Sequence, residues 1–121
     1  MTTQPLVVVV DDDDDIRLSL RDYLRSRGYR VEVASDGVGA IRLLIDHDVS
    51  VVVTDYRMDL LGGNYWIRFL QRFVPEMPVL VISGFLNPDF DVPYPMFLKP
   101  FDYDLLEARI RTILPEADDD R

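Results

Sequence analysis

Short runs of valine and isoleucine alternate with helical patterns along this chain, and this alternation limits the possible folds more than any other feature. Leu6–Val10, Val49–Thr54 and Val79–Ser83 are almost continuously apolar and rich in β-branched residues. Runs of this kind are typical of strands that are covered on both faces, as in parallel sheets. Tyr29–Val33 and Met96–Leu98 are predicted to be two shorter strands.

The segments between these runs carry apolar residues at helical spacing. The first predicted helix ends at Gly28, and the second begins at an N-cap, Asp36. A third is predicted over residues 64–74 and a last one from Asp102 to Leu114. The residues of the last helix that are predicted to face inward are Leu105, Leu106, Ile110 and Ile113. Because strands and helices alternate, the sequence predicts an α/β fold with a parallel sheet.

Length and charge narrow the possible functions. The 121 residues predict one domain, with a core over about residues 5–114 and an acidic tail over 115–121. The net charge of −9 disfavours direct binding to nucleic acid or to anionic lipid, which depends mainly on Lys and Arg. The chain has no cysteine, and Leu6–Val10 is too short for a signal peptide or a membrane span, so we expect a cytoplasmic protein.

Residues 84–95 depart from the alternation. A helix is expected between the fourth and fifth strands, but Pro88, Pro93 and Pro95 interrupt this stretch. The stretch is nevertheless rich in aromatic residues. It is predicted to be an apolar loop that replaces most or all of the helix.

Polar residues follow the predicted strands where a parallel sheet binds its ligands, at the carboxyl ends. Asp11 and Asp12 follow the first strand, and Asp55 follows the third. Ser83 ends the fourth strand and Lys99 follows the fifth. We therefore expect three carboxylates, a hydroxyl and an ammonium to meet at one edge of the sheet.

Carboxylates gathered in one cleft repel each other, so either a proton or a cation must accompany them. Oxygen ligands without histidine or cysteine favour a hard ion, Mg²⁺ or Mn²⁺. Lys99 can neutralise one carboxylate and hold a phosphoryl oxygen, and Ser83 can donate a hydrogen bond to another. A carboxylate such as Asp55 can act as a nucleophile and form an acyl phosphate.

Four segments carry a resemblance to a known family over residues 5–114. They are VVVVDDDDDIR at 7–17, VVVTDYRM at 51–58 with Gly63 after it, VLVISG at 79–84 and FLKPF at 97–101. The chain resembles the receiver domains of two-component response regulators, including the chemotaxis-type regulators that consist of one domain. The resemblance implies a flavodoxin-like (βα)5 doubly wound sheet with strand order 2-1-3-4-5, here with the fourth helix missing or reduced.

The resemblance also implies roles for the polar residues. Asp55 would accept a phosphoryl group from a sensor histidine kinase or a histidine phosphotransfer protein. Asp11, Asp12 and Asp55 would bind Mg²⁺ together with the backbone carbonyl of Arg57. The protein would catalyse only its own phosphorylation and dephosphorylation, as a stand-alone regulator in a phosphorelay, and would not be a dedicated turnover enzyme.

Ser83 would be the switch hydroxyl and Lys99 the lysine that senses phosphate, and the resemblance suggests a cis peptide bond between Lys99 and Pro100. The sequence departs from the family at Met96, where many receivers have an aromatic switch residue. Asp59 stands where a proline is usual. Met96 and the reduced fourth helix together predict an unusual route of output.

Three other functions are considered. A haloacid-dehalogenase-like phosphohydrolase would need an acid two residues after its nucleophile, where this chain has Arg57. A flavodoxin-like FMN binder would need a Gly/Ser/Thr loop after the first strand, where this chain has a run of aspartates. A pseudo-receiver that serves only as an interaction or dimerisation module stays open, because the output face departs from the family pattern.

The missing helix also predicts self-association. It would expose apolar surface around residues 64–74 and 84–114, and a homodimer would cover it, with the fifth strand and last helix possibly exchanged. Trp66 and Phe69 are interpreted either as core residues or as part of this interface.

Overall fold

A computed structural model describes residues 4–56, 63–84 and 92–114 of the chain. These residues contain a five-stranded sheet of order β2-β1-β3-β4-β5 in which every described pair is parallel. The strands are β1 Leu6–Val10, β2 Arg30–Ala34, β3 Val51–Asp55, β4 Val79–Ser83 and β5 Met96–Leu98. The predicted fold class and strand order are confirmed.

Four helices are present in the part of the chain that the structure describes. They are α1 Asp14–Ser26, α2 Gly37–Asp46, α3 Gly63–Phe73 and α4 Tyr103–Ile113. Asp13, Asp36 and Asp102 cap α1, α2 and α4, because the side chain of each accepts hydrogen bonds from backbone amides of the first turn. The caps at Asp36 and Asp102 agree with the predicted helix starts.

The sheet separates two hydrophobic layers, because successive residues of a strand point to opposite faces. Val51 and Val53 of β3 pack in one layer with residues of α1 and α4. Val52 packs in the other layer with residues of α2 and α3. All five residues of β1, β3 and β4 are buried, which is why these strands read as continuous apolar runs.

Some details of the prediction are wrong, among them the bounds of β2, which runs over Arg30–Ala34 and not over Tyr29–Val33. Strand β3 runs over Val51–Asp55 and not over Val49–Thr54. Ser50 lies before the strand, where its hydroxyl accepts a hydrogen bond from the amide of Leu6. Leu105 is 63% exposed, whereas its neighbour Leu106 is fully buried. Adjacent helical positions are about 100° apart, so the inward stripe of α4 is set by Leu106 and Ile110, four residues apart.

Several predictions fall outside the described residues. These are the carbonyl of Arg57, the position of Asp59, most of the 84–95 segment and the acidic tail over 115–121. Gly84 follows β4, and the next described residue is Val92.

Candidate functional site

The parallel register aligns the carboxyl ends of the strands that carry the predicted site. Asp55 is the last residue of β3 and pairs with Ile82, one residue before the end of β4. Ser83 pairs with Leu98, so Lys99 follows directly at the same edge. Asp11 continues from β1, and its amide bonds to the carbonyl of Ala34 at the end of β2.

Three carboxylates meet at this edge. One oxygen from each of Asp11, Asp12 and Asp55 lies within 4.8 Å of the others. Asp11 is fully buried and Asp55 is 4% exposed, whereas Asp12 is exposed. The cluster is therefore closed at its base and open to solvent on the side of Asp12.

Lys99 joins two of these carboxylates. Its Nζ atom is 2.9 Å from Asp11 Oδ2 and 3.3 Å from Asp55 Oδ2. Partial burial acts to lower the pKa of Lys99, but the hydrogen bonds and charges of Asp11 and Asp55 outweigh it and raise that pKa above 10.5. Lys99 is also the only lysine in the sequence, where the twelve other basic residues are arginines.

The loop that carries Asp11 is held by local bonds that the sequence analysis did not identify. Asp11 Oδ1 accepts the amide of Asp13 at 2.9 Å, and the carbonyl of Asp11 accepts Nη1 of Arg17 at 2.9 Å. Asp13 caps α1, while Asp14 and Asp15 lie in its first turn, where the helix dipole favours acidic side chains. The aspartate run thus divides into site residues, a cap and helix residues.

Ser83 lies at the same edge and is buried. Its carbonyl accepts the amide of Lys99 at 2.8 Å, which ties the ends of β4 and β5 together. The peptide bond between Lys99 and Pro100 is cis, as the family resemblance suggested.

A second feature missed by sequence reasoning lies beside Asp55. The indole Nε1 of Trp66 donates to Thr54 Oγ1 at 2.8 Å, and that hydroxyl donates to the carbonyl of Asp55 at 2.9 Å. Trp66 is fully buried, so it belongs to the core and the interface interpretation of this residue is wrong. An apolar pattern predicts burial but does not say which polar group an indole will meet.

The donor set fits a divalent cation. The ammonium of Lys99 neutralises one of the three carboxylates, which leaves two formal negative charges around a position exposed to solvent. Carboxylate oxygens are the ligands that Mg²⁺ prefers, and Mg²⁺ usually keeps several waters, which the open side of the cluster permits. The same edge offers a nucleophilic carboxylate next to a fixed cation.

Comparison with known proteins gives the family. The model of the response regulator receiver domain matches residues 7–93 of the chain. The chain belongs to this family. Receivers are signalling domains of two-component systems, and the described chain has their fold.

Relatives and solved structures agree with this assignment. The receiver is 35% identical to response regulator MprA of Mycobacterium sp. strain KMS, over 94% of this chain and 52% of that protein. It superposes on the receiver domain of a Francisella response regulator with a TM-score of 0.82 and 26% identity, covering 91% and 96% of the two chains. It also superposes on TrrA of Thermotoga maritima, solved in complex with Mg²⁺ and BeF, with a TM-score of 0.83 and 20% identity, covering 92% and 100%.

The chain spans about half the length of two curated relatives that it matches, response regulator MprA and the transcriptional regulatory protein PrrA. Their names describe response regulators and transcriptional regulatory proteins. In the described parts of the receiver, no helix is both long and apolar enough to cross a membrane.

Proposed function

We propose that this receiver accepts a phosphoryl group on Asp55, with Mg²⁺ bound beside it, as a step in phosphorelay signalling. The observation that carries the proposal is the placement of Lys99 between Asp11 and Asp55, within a cluster of three carboxylates. A structural ion pair needs only one carboxylate. Three acids around one lysine are costly unless they serve a cation and an incoming anion.

In the proposed reaction, a carboxylate oxygen of Asp55 attacks the phosphorus of a phosphohistidine. The P–N bond breaks, the imidazole leaves with the electron pair and takes up a proton, and an acyl phosphate remains on Asp55. Water later attacks the same phosphorus, the bond between phosphorus and the Asp55 oxygen breaks, and inorganic phosphate leaves while the carboxylate is restored. The protein contributes positioning and charge, as is usual for phosphoryl transfer.

Asp11, Asp12 and Asp55 are proposed to hold Mg²⁺, with the carbonyl of Arg57 as a further ligand. A bound Mg²⁺ would offset the charge that develops on the transferred group. That TrrA was solved with Mg²⁺ and BeF supports the same chemistry in this receiver. Asp11 is fully buried, and its second oxygen is fixed by the amide of Asp13, so its orientation is set before any ligand binds.

Lys99 is proposed to bind the phosphoryl group once it is on Asp55. Its ammonium already lies 3.3 Å from the Asp55 carboxylate, and phosphorylation would add negative oxygens at that position. Ser83 is proposed as the switch hydroxyl, on the basis of its burial at the adjacent strand end and its backbone bond to Lys99. Each residue would contact a different phosphoryl oxygen.

The phosphoryl donor is proposed to be a sensor histidine kinase or a histidine phosphotransfer protein. The proposed unit of function is one receiver domain with its core over about residues 5–114. The cytoplasm, where such donors act, is the proposed location.

Self-association is proposed to involve the exposed apolar residues of β5, α3 and α4. Leu98 and Leu105 lie on β5 and α4, and Tyr65 and Phe73 lie on α3, and all four side chains are exposed. Light scattering across the micromolar range, with and without phosphorylation, tests this. A monomer under both conditions would contradict it.

The phosphorylation proposal is tested with the purified protein, acetyl phosphate and Mg²⁺. The expected result is a mass gain of one phosphoryl group that needs Mg²⁺ and is lost in Asp55→Asn. Asp22→Asn is the matched control, because Asp22 is an exposed aspartate on α1 and should keep the full gain. No gain, or an equal gain in Asp55→Asn, would favour the pseudo-receiver instead.

A further inference from the structure

A buried chain of hydrogen bonds connects the backbone of Asp55 to α3. Trp66 donates to the hydroxyl of Thr54 at 2.8 Å, and that hydroxyl donates to the carbonyl of Asp55 at 2.9 Å. Trp66 and Thr54 are both fully buried. A threonine hydroxyl has one proton, so accepting from the indole leaves that proton for the carbonyl and fixes the direction of the chain.

The chain of bonds crosses from one face of the sheet to the other. Strand alternation puts Thr54 on the side of Val52, in the layer that contains α3. The next residue, Asp55, directs its side chain to the opposite face of the sheet, where it meets Lys99 and Asp11 in the carboxylate cluster. The backbone carbonyl of Asp55 is therefore the point where a change at the cluster can reach the α3 side.

Aromatic contacts continue from Trp66 along α3. The ring of Trp66 stacks on Phe69 with centroids 5.9 Å apart, and Phe69 contacts Phe73 at 5.1 Å. Phe73 is 63% exposed. A path of direct contacts thus leads from the main chain of Asp55 to the exposed end of α3.

We propose that Thr54 and Trp66 are positioning residues that set the main chain of Asp55 and report its state to α3. This inference rests on the proposed phosphorylation of Asp55. When the Asp55 side chain binds Mg²⁺ or carries a phosphoryl group, its main chain adjusts, and the buried bonds pass the adjustment to the indole. In such a low-dielectric chain each bond polarises the next, so a change at one end alters the other.

Trp66 is the only tryptophan of the protein, so its fluorescence reports on this chain of bonds without interference. The emission of the wild-type protein is expected to change on addition of Mg²⁺ with beryllofluoride, and Asp55→Asn is expected to show no such change. Thr54→Val removes the hydroxyl at nearly constant volume and should abolish most of the change. Thr54→Ser keeps the hydroxyl and should restore it.

The rate of phosphorylation provides a second measurement. Thr54→Val and Trp66→Phe should each slow the mass gain from acetyl phosphate about fivefold, which corresponds to losing one hydrogen bond of ordinary strength. Because both variants break the same chain, the double variant should be no slower than either single one. Circular dichroism of each variant checks that it is folded. If Thr54→Val does not fold, the other two variants test the proposal by their rates: Thr54→Ser should react like wild type and Trp66→Phe about fivefold more slowly.

The outcomes separate this inference from the function on which it rests. If the wild type gains a phosphoryl group while its emission stays constant, or if Thr54→Val responds like wild type, the inference is overturned and phosphorylation of Asp55 stands. If Trp66→Phe and Thr54→Val slow the reaction additively, the two residues act separately and the inference is overturned. If no phosphoryl group is gained at all, both proposals fail.

Discussion

Replacing Lys99 by methionine is expected to destabilise the receiver strongly when no divalent cation is present. Methionine keeps most of the side-chain volume and removes the charge. The ammonium lies 2.9 Å and 3.3 Å from two carboxylates, which corresponds to about 6 and about 5 kcal/mol of attraction at an effective dielectric of about 20. Those carboxylates have oxygens within 4.8 Å of each other, so without Lys99 they repel by about 3.5 kcal/mol or more.

The net effect is smaller than these sums, because burying the ammonium also has a desolvation cost. Removing one partner of a buried pair typically costs about 3–5 kcal/mol, and the Lys99 side chain is still 17% exposed. We therefore expect Lys99→Met to lower the free energy of unfolding by about 3 kcal/mol. Mg²⁺ supplies the missing positive charge, so it should raise the stability of Lys99→Met more than that of wild type.

Urea unfolding in EDTA and in saturating Mg²⁺ measures both effects. Arg21→Met is the matched control, because it removes a basic residue from an exposed pair with Asp22 and should cost less than about 1 kcal/mol in either buffer. Two results would contradict the proposed role of the Lys99 charge. One is a Lys99→Met protein as stable as wild type in EDTA, and the other is an equal gain from Mg²⁺ in both proteins.

Three further predictions concern single groups. Leu106→Ala should lower the free energy of unfolding by about 2–5 kcal/mol, because Leu106 is fully buried. Leu105→Ala should lower it by less than about 0.5 kcal/mol, because Leu105 is mostly exposed. Equal losses of the two variants in urea unfolding would contradict the packing of α4. Tyr29→Phe should remove the 2.7 Å hydrogen bond to buried Glu107. Burial acts to raise the pKa of Glu107, but the bonds from Tyr29 and Arg111 outweigh it and lower that pKa overall. The stability that ionised Glu107 contributes is therefore present at neutral pH and is lost as the pH falls through its folded-state pKa. The destabilisation by Tyr29→Phe, followed by urea unfolding against pH, should therefore shrink in acid, and a constant difference would count against it. Reductive ¹³C-methylation should give one lysine NMR signal, because Lys99 is the only lysine. In metal-free protein this signal should titrate above the ordinary lysine pKa of 10.5, and it should shift when Mg²⁺ is added. A signal that does not respond to Mg²⁺ would argue that Lys99 is remote from the metal site.

The sheet and the carboxylate cluster could be predicted from the sequence because each follows from local rules. Buried parallel strands leave continuous runs such as Leu6–Val10, and the ends of such strands meet at one edge. That geometry alone brings Asp11, Asp55 and Lys99 together, and the distances confirm that they meet. The family resemblance added the expected roles, which stay predictions.

Other features depend on tertiary packing and were not predicted. Any of several consecutive aspartates satisfies the sequence rule for an N-cap, and only the turn made by Asp11 and Asp13 selects Asp13. Leu105 and Leu106 are equally apolar, and the packing of α4 decides which one is buried. The bond from Trp66 to Thr54 joins residues twelve positions apart on different elements, for which the sequence contains no signal.

Chemical trapping of the acyl phosphate shows directly whether Asp55 is the residue that accepts the phosphoryl group. Borohydride reduces an aspartyl phosphate to homoserine, so the residue that carried the phosphoryl group can be read by peptide mass spectrometry. After incubation with a phosphoryl donor and Mg²⁺, we expect homoserine at position 55 and unchanged aspartate at Asp11 and Asp12. Homoserine at either of those two positions, or at none of the aspartates, would contradict it.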